Sequence, residues 1–194
     1  MRVAIIGLDG SGKTTLINNL LSFLEQNNIC SRSTKVDFEC KSVLKKTMSE
    51  EDKDYPLFVR LGMAFDFLNH YLDLNDDNEI VFCDRYDICY KVLNRVDILN
   101  KRIISKIDSI YDLIPRADLY LYLEIDSKIA FDRLNHRGNR AKNESLSILR
   151  KIKKEYNKMT KLYRNVFVLN ACEDEKTVFK NAVEVLKREG VISS

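Results

Sequence analysis

The chain lacks tryptophan and carries only two prolines and six glycines in 194 residues. So few breakers imply long regular elements and no flexible linker between parts. Histidine is scarce, with two copies, and the five cysteines (Cys30, Cys40, Cys83, Cys89 and Cys172) form no C-x-x-C pair. An odd, scattered set of thiols argues against a disulfide framework or a zinc site. Reduced thiols fit the cytosol, and Cys83, inside an apolar run, reads as a buried one. No stretch approaches the ~20 apolar residues that a bilayer span needs. The N-terminus runs from Met1-Arg2 into Val3–Gly7 without the apolar length of a signal peptide. These absences lead us to expect a cytoplasmic location and no membrane partner. Neither charge sign dominates: 32 Lys and Arg against 29 Asp and Glu leave +3. That balance is too even to argue for nucleic acid as a partner. No internal repeat or low-complexity tract stands out.

What is present is ordinary globular composition, 45% apolar and 31% charged, in a length that suits one domain over residues 1–194. Short β-branched runs predict strands at Val3–Ile6, Cys30–Phe38, Ile80–Cys83, Leu119–Ile125 and Val166–Leu169. Helical spacing of apolar residues predicts helices at Lys13–Gln26, Lys41–Met48, Tyr55–Leu74, Ser127–Asn135, Ser145–Tyr163 and Lys176–Glu189. A further helical stretch, Tyr86–Ile114, is expected to break near Val96–Asn100. Strands alternating with helices indicate an α/β fold, a parallel sheet covered on both faces.

One motif carries chemistry. Gly7-Leu8-Asp9-Gly10-Ser11-Gly12-Lys13-Thr14 fits G-x-x-x-x-G-K-[ST] at every fixed position, with a predicted strand before it and an amphipathic helix after it. Glycines there let the backbone wrap a phosphate and turn N–H groups inward. The helix beginning near Lys13 adds its positive dipole end. Lys13 is expected to reach the β- and γ-phosphates, and Thr14 to place a hydroxyl on Mg²⁺. A bare strand-to-helix turn needs neither side chain.

The rest of the chain narrows the kind of phosphate chemistry. A GTPase wants D-x-x-G and N-K-x-D segments, and Asn100-Lys101 is followed by Arg102-Ile103. A motor ATPase wants a catalytic Glu beside the Asp that ends its strand, and the third strand ends in Asp84-Arg85-Tyr86. An Asp at the carboxyl end of a strand lies where open α/β sheets bind ligands. It can hold the metal shell, and the arginine after it can grip a second phosphate bidentately. Asp84 would also serve as a plain helix N-cap.

At these residues the chain resembles the thymidylate kinases, within the nucleoside monophosphate kinases, over most of its length. The opening Gly7–Thr15 and the Asp84-Arg85-Tyr86 triplet are distinctive together. Arg116-Ala117-Asp118-Leu119-Tyr120-Leu121-Tyr122-Leu123 is similar to the family's P-D-L-x-L-x-L strand. Ala130–Leu134 leads to Arg137-Gly138-Asn139-Arg140, which looks like its arginine-bearing lid. The resemblance implies a three-layer P-loop kinase fold, a five-stranded parallel sheet in the order 2-3-1-4-5 and a basic lid near residues 136–144. It implies ATP and Mg²⁺ as cofactors and a nucleoside monophosphate as acceptor, most simply dTMP going to dTDP. ATP would lie over Gly7, Asp9, Gly10, Ser11, Gly12, Lys13, Thr14 and Thr15, with Thr14 and Asp84 at the metal. Asp9 would touch the acceptor's sugar hydroxyl, Arg85 its phosphate, and Tyr86 would border its sugar. The family commonly forms homodimers, although no interface is visible in this sequence.

Some thymidylate kinases place an arginine in the P-loop just after the Asp; here that position is Gly10. Positive charge for the transferring group must then come from elsewhere. Arg133, His136, Arg137, Arg140 and Lys142 form a basic cluster, from which Arg137 and Arg140 are expected to supply it as catalytic groups. Arg133 reads as helical surface or packing.

Two departures fall at the acceptor side. Lys35-Val36-Asp37-Phe38-Glu39-Cys40 stands where the family has an R-x-P-G-G-T-like segment. The family's acceptor-helix arginine falls on Met63 or Ala64, with Arg60 one turn away as a substitute. On that helix Phe58 or Phe65 could stack on a base. An alternative follows: a deoxynucleoside or other small-molecule kinase phosphorylates a hydroxyl, which benefits from a carboxylate base. Asp37 or Glu39 would be that base. A non-catalytic nucleotide-binding module is a third reading, opposed by the intact Lys13, Thr14 and Asp84.

Overall fold

The computed structural model describes all residues except 50, 52–53, 73, 75–77, 99, 137–144 and 194, and of Lys41, Ser42 and Lys45 it describes the backbone alone. In chain order the elements are β1 (Arg2–Gly7), α1 (Lys13–Gln26), β2 (Ser31–Thr34), α2 (Glu39–Thr47), α3 (Tyr55–Leu72), β3 (Ile80–Asp84) and α4 (Asp87–Asp97). Then come α5 (Lys101–Tyr111), β4 (Leu119–Glu124), α6 (Ser127–His136), α7 (Leu146–Met159), a 3-10 turn at Thr160–Leu162, β5 (Val166–Asn170) and α8 (Glu175–Arg188). The five strands form one sheet in the order β2-β3-β1-β4-β5, with every neighbouring pair parallel. This is the expected α/β architecture and strand order.

Val3, Ala4, Ile5 and Ile6 are fully buried, as a central parallel strand covered on both faces requires. Right-handed crossovers put α1 on one face of the sheet and the helices of the later crossovers on the other. Accordingly α1 packs on α8, while α4 packs on α3, α5 and α7. The second strand is shorter than the sequence suggests. Pairing stops at Thr34, opposite Cys83, because Val36 turns into the core. The helical stretch after β3 does break: Ile98 is extended, and the Asn100 side chain caps α5 by accepting from Arg102 N and Ile103 N.

Tyrosines take the place of the missing tryptophan. Phe67 lies at the centre of Tyr71, Tyr86, Tyr90 and Tyr111, with ring centroids 4.7 to 5.5 Å away. Two of the four hydroxyls pin elements together, as buried phenols need partners, whereas those of Tyr90 and Tyr111 have no hydrogen-bond partner among the described residues. The Tyr86 hydroxyl donates to Pro115 O at 2.9 Å and the Tyr71 hydroxyl to Arg85 O at 3.3 Å. The largest such knot is Asp87, in the first turn of α4. It accepts Tyr120 at 2.8 Å, Tyr163 at 2.5 Å and Lys91 Nζ at 3.1 Å. Lys91 continues to Asp112 at 2.6 Å. Asp87 thus holds α4, and the Arg85-Tyr86 turn before it, against β4 and the segment after α7. Replacing Asp87 by Ala strips two phenols of their acceptor and a buried ammonium of one of its two carboxylates. We expect a loss of about 3 kcal/mol and a melting temperature lower by roughly 6–12 °C, read by calorimetry.

Candidate active site

The phosphate loop spans the end of β1 and the start of α1. Gly12 sits at φ 91° as the residue before α1, a left-handed conformation that glycine takes without strain. Gly10 is required for space as well. A Cβ there would lie 2.6 Å from the Ala130 carbonyl oxygen of α6. No larger residue, arginine included, fits at that point of the loop unless α6 moves.

Lys13 is 7% exposed. Its Nζ donates to Leu8 O at 2.8 Å and Gly7 O at 3.1 Å and lies 3.7 Å from Asp9 Oδ1. Burial, reinforced by the nearby Arg85 charge, lowers its pKa to about 8 against the pull of Asp9, Cys89 and Asp84. Gly7 O also accepts the buried Tyr156 hydroxyl of α7 at 3.3 Å. Ser11 is buried, and its hydroxyl has no partner among the described residues. Such an orphan is costly unless something else uses it.

The end of β3 completes the site. Thr14 Oγ1 donates to Asp84 Oδ2 at 3.4 Å, and Lys35 Nζ approaches the same oxygen at 3.7 Å. Arg85 is in the left-handed region, φ 78°, which costs a non-glycine residue about 1–3 kcal/mol. Its backbone is held on both sides: the N–H donates to Ile5 O at 3.1 Å and the carbonyl accepts Tyr71. That turn aims the guanidinium at Asp9, with which it forms a hydrogen-bonded ion pair. Burial opposes the Arg85 charge, but Asp9 outweighs it and keeps the group protonated. For Asp9 burial acts upward, yet Arg85 and Lys13 win and hold its carboxyl below the usual range.

The structure therefore brings together Gly7, Asp9, Gly10, Ser11, Gly12, Lys13, Thr14, Asp84 and Arg85, with Thr15 lining the adjoining pocket. It does not bring in Tyr86, which is buried among Phe67, Tyr71 and Tyr120 with its hydroxyl on Pro115. The left-handed turn at Arg85 sends the two neighbouring side chains in different directions. Phe58 and Phe65 are exposed on α3, and Arg60 is paired with Asp97 of α4, Nε to Oδ2 2.8 Å. Asp37 is exposed, and its charge acts on His70; Glu39 is exposed at the start of α2. Arg137, Arg140 and Lys142 lie outside the described residues.

Three residues beside the loop were given no site role by the sequence reading. Arg133 is not plain helix surface. Its Nη1 donates to Gly10 O at 3.5 Å, and it lines a cavity of about 220 Å³ with Gly10, Gly12, Thr15, Ala171, Glu173 and Val178. Its sequence signal was membership of the basic cluster; its place one turn past Ala130, the residue against Gly10, came from the fold. Tyr156 lies on a helix that reads as charged and solvated, and its sole mark is an aromatic among lysines. Lys35 had no motif to flag it.

Fold and site together define a P-loop nucleoside or nucleotide kinase. A solved structure, deoxyadenosine kinase from M. mycoides with products dCMP and dCDP bound, superposes at a TM-score of 0.76, covering 97% of this chain and all of that one at 20% identity. The thymidylate kinase family model matches residues 5–182, and the chain belongs to that family. Among its relatives is a probable thymidylate kinase of Saccharolobus solfataricus, 29% identical over 96% of both chains. The thymidylate kinase of Caldicellulosiruptor saccharolyticus is 26% identical over 93% of this chain and 92% of its own.

The Lys13 value has a checkable consequence. A bound polyphosphate favours the charged amine, so binding above pH 8 must take up a proton. Affinity for a fluorescent ATP analogue is expected to be level below pH 8 and to fall about tenfold per pH unit above it. Lys13→Arg stays charged and should lose that break. A wild-type profile flat to pH 9.5 contradicts the assignment.

Proposed function

We propose that the protein transfers the γ-phosphoryl group of ATP to dTMP, releasing ADP and dTDP. The observation that carries this reading is the Asp9–Arg85 ion pair, set between the phosphate loop and the end of β3. Its guanidinium lies near enough to Lys13 to act on that charge, and in this reading it faces the acceptor. An acceptor that is already an ionised phosphate needs a clamp there and no general base. Arg85 exchanges Asp9 for the acceptor phosphate, and Asp9, so released, accepts the sugar hydroxyl. Lys13 leaves the Gly7 and Leu8 carbonyls for the β- and γ-phosphates of ATP. The loop N–H groups and the Ser11 hydroxyl hold the same phosphates. The 220 Å³ cavity beside Arg133 suits the nucleoside end of ATP.

Mg²⁺ fits the donor set, since it takes one or two protein oxygens and keeps its waters. Thr14 Oγ1 and Asp84 Oδ2 lie 3.4 Å apart at the loop. Among the described residues no cluster of three His, Cys, Asp or Glu offers a different metal site. When bound, the ion would neutralise charge on the phosphate oxygens. Catalysis is then mainly positioning and charge stabilisation. Arg133 at Gly10, together with Arg137 and Arg140 of the lid at residues 136–144, supplies the cation that a P-loop arginine provides elsewhere. Lid closure keeps water from taking the phosphoryl group.

The test is coupled ATP consumption with a panel of nucleoside monophosphates and the matching nucleosides. We expect turnover with dTMP, and we expect Arg85→Ala to raise the acceptor KM about 100-fold while ATP KM stays within about threefold. Equal losses for both substrates contradict the clamp. Turnover of nucleosides alone would instead favour a hydroxyl acceptor and a base at Asp37 or Glu39.

The same reading takes residues 1–194 as one kinase domain that works as a homodimer in the cytoplasm. None of the five cysteines forms a disulfide, and no described helix is long and apolar enough to cross a membrane. On α3 the apolar residues Phe58, Phe65 and Leu72 are exposed and recur every seven residues on one helix face, a spacing that suits pairing with a helix. Phe65→Asp is expected to halve the mass seen by sedimentation equilibrium; an unchanged mass rules this face out.

A further inference from the structure

Asp84 meets a hydroxyl and an ammonium at one oxygen. Thr14 donates to Oδ2 at 3.4 Å, and Lys35 Nζ lies 3.7 Å from the same atom. The sheet register sets this meeting: Thr34, the last residue of β2, pairs with Cys83, so Lys35, just past the strand, follows beside Asp84. The Lys35 backbone is anchored, because Val36 is buried in the core. Its side chain is loose: it is 63% exposed, and Asp84 is its one ion-pair partner among the described residues. A solvated pair of this kind contributes little and yields easily to a better ligand. A divalent cation at Thr14 and Asp84 is a better ligand, and an ammonium beside it is repelled.

We propose that Lys35 is a displaceable ligand of the acceptor phosphate. It neutralises Asp84 in the nucleotide-free protein and gives up Oδ2 when Mg²⁺ and ATP enter. It then joins Arg85 on the phosphate of the incoming monophosphate. Asp84 and Arg85 are adjacent, so an ammonium leaving Oδ2 stays within a lysine stem of the phosphate that Arg85 grips. A lysine suits this exchange, because its point charge and rotatable donors turn from one anion to another. The second cation also offsets the repulsion between the acceptor phosphate and the γ-phosphate. This inference rests on the phosphoryl-transfer reading of the site.

Lys35→Met keeps the stem, removes the charge and alters only an exposed position. Mn²⁺ binding is read by electron paramagnetic resonance with a non-hydrolysable ATP analogue and no acceptor. The variant is expected to bind Mn²⁺ about threefold tighter than wild type. In steady state its acceptor KM should rise about tenfold with ATP KM unchanged. Lys35→Arg, which keeps the charge, should restore most of the acceptor KM. Unchanged or weaker Mn²⁺ binding, or an unchanged acceptor KM, overturns the role of Lys35 and leaves the kinase reading intact. If wild type binds no Mn²⁺ with nucleotide, the metal assignment itself fails and this inference falls with it.

Discussion

Three cations converge on the carboxyl ends of β1 and β3, and their mutual repulsion must be offset for the site to exist at all. Lys13 rests on the carbonyls of Gly7 and Leu8, Arg85 on Asp9, and Lys35 on Asp84. Each cation is satisfied internally, so the site is not a set of bare charges in a low-dielectric cleft. Each internal partner is also one that a phosphate or metal can replace. Burial and then the Arg85 charge lower the pKa of Lys13. Arg85 supplies most of the opposing field after burial, and Asp9 returns part of it.

The scaffold makes that balance possible by fixing backbone rather than side chains. Arg85 stays in a left-handed conformation because its N–H extends the β1 ladder and its carbonyl is tied to Tyr71. Two residues on, Asp87 is locked by two tyrosines and a lysine. The aromatic cluster around Phe67 fills the layer beneath that turn. A strained residue persists only when its surroundings over-determine it, and here sheet, core and a buried polar knot all bear on one turn.

A second constraint comes from α6. The Ala130 carbonyl is so close to Gly10 that the loop has no room for a side chain there. One turn further along α6, Arg133 reaches the carbonyl of the same glycine. A single packing contact thus removes the site for a loop arginine and brings in a helical one. Shape and charge compensation come from neighbouring positions of one element.

Local signals made much of this legible. The boundaries of α1, the break between α4 and α5, the phosphate loop and the Asp84-Arg85 pair all depend on spacing within a few turns of chain. Glycine, lysine and threonine at fixed offsets mean the same thing wherever the loop lies. Aromatic positions were not legible in the same way. Phe58, Tyr86 and Tyr90 share apolar periodicity, yet Phe58 faces outward while Tyr86 and Tyr90 are buried, because periodicity marks a face and not what covers it. The sequence by itself therefore determined the fold class, the loop and the arginine at the strand end. Only the tertiary structure decided which charges meet, Lys35 with Asp84, Arg85 with Asp9 and Arg133 with Gly10. Those meetings depend on strand register and helix packing between residues far apart in the chain, which no local pattern encodes.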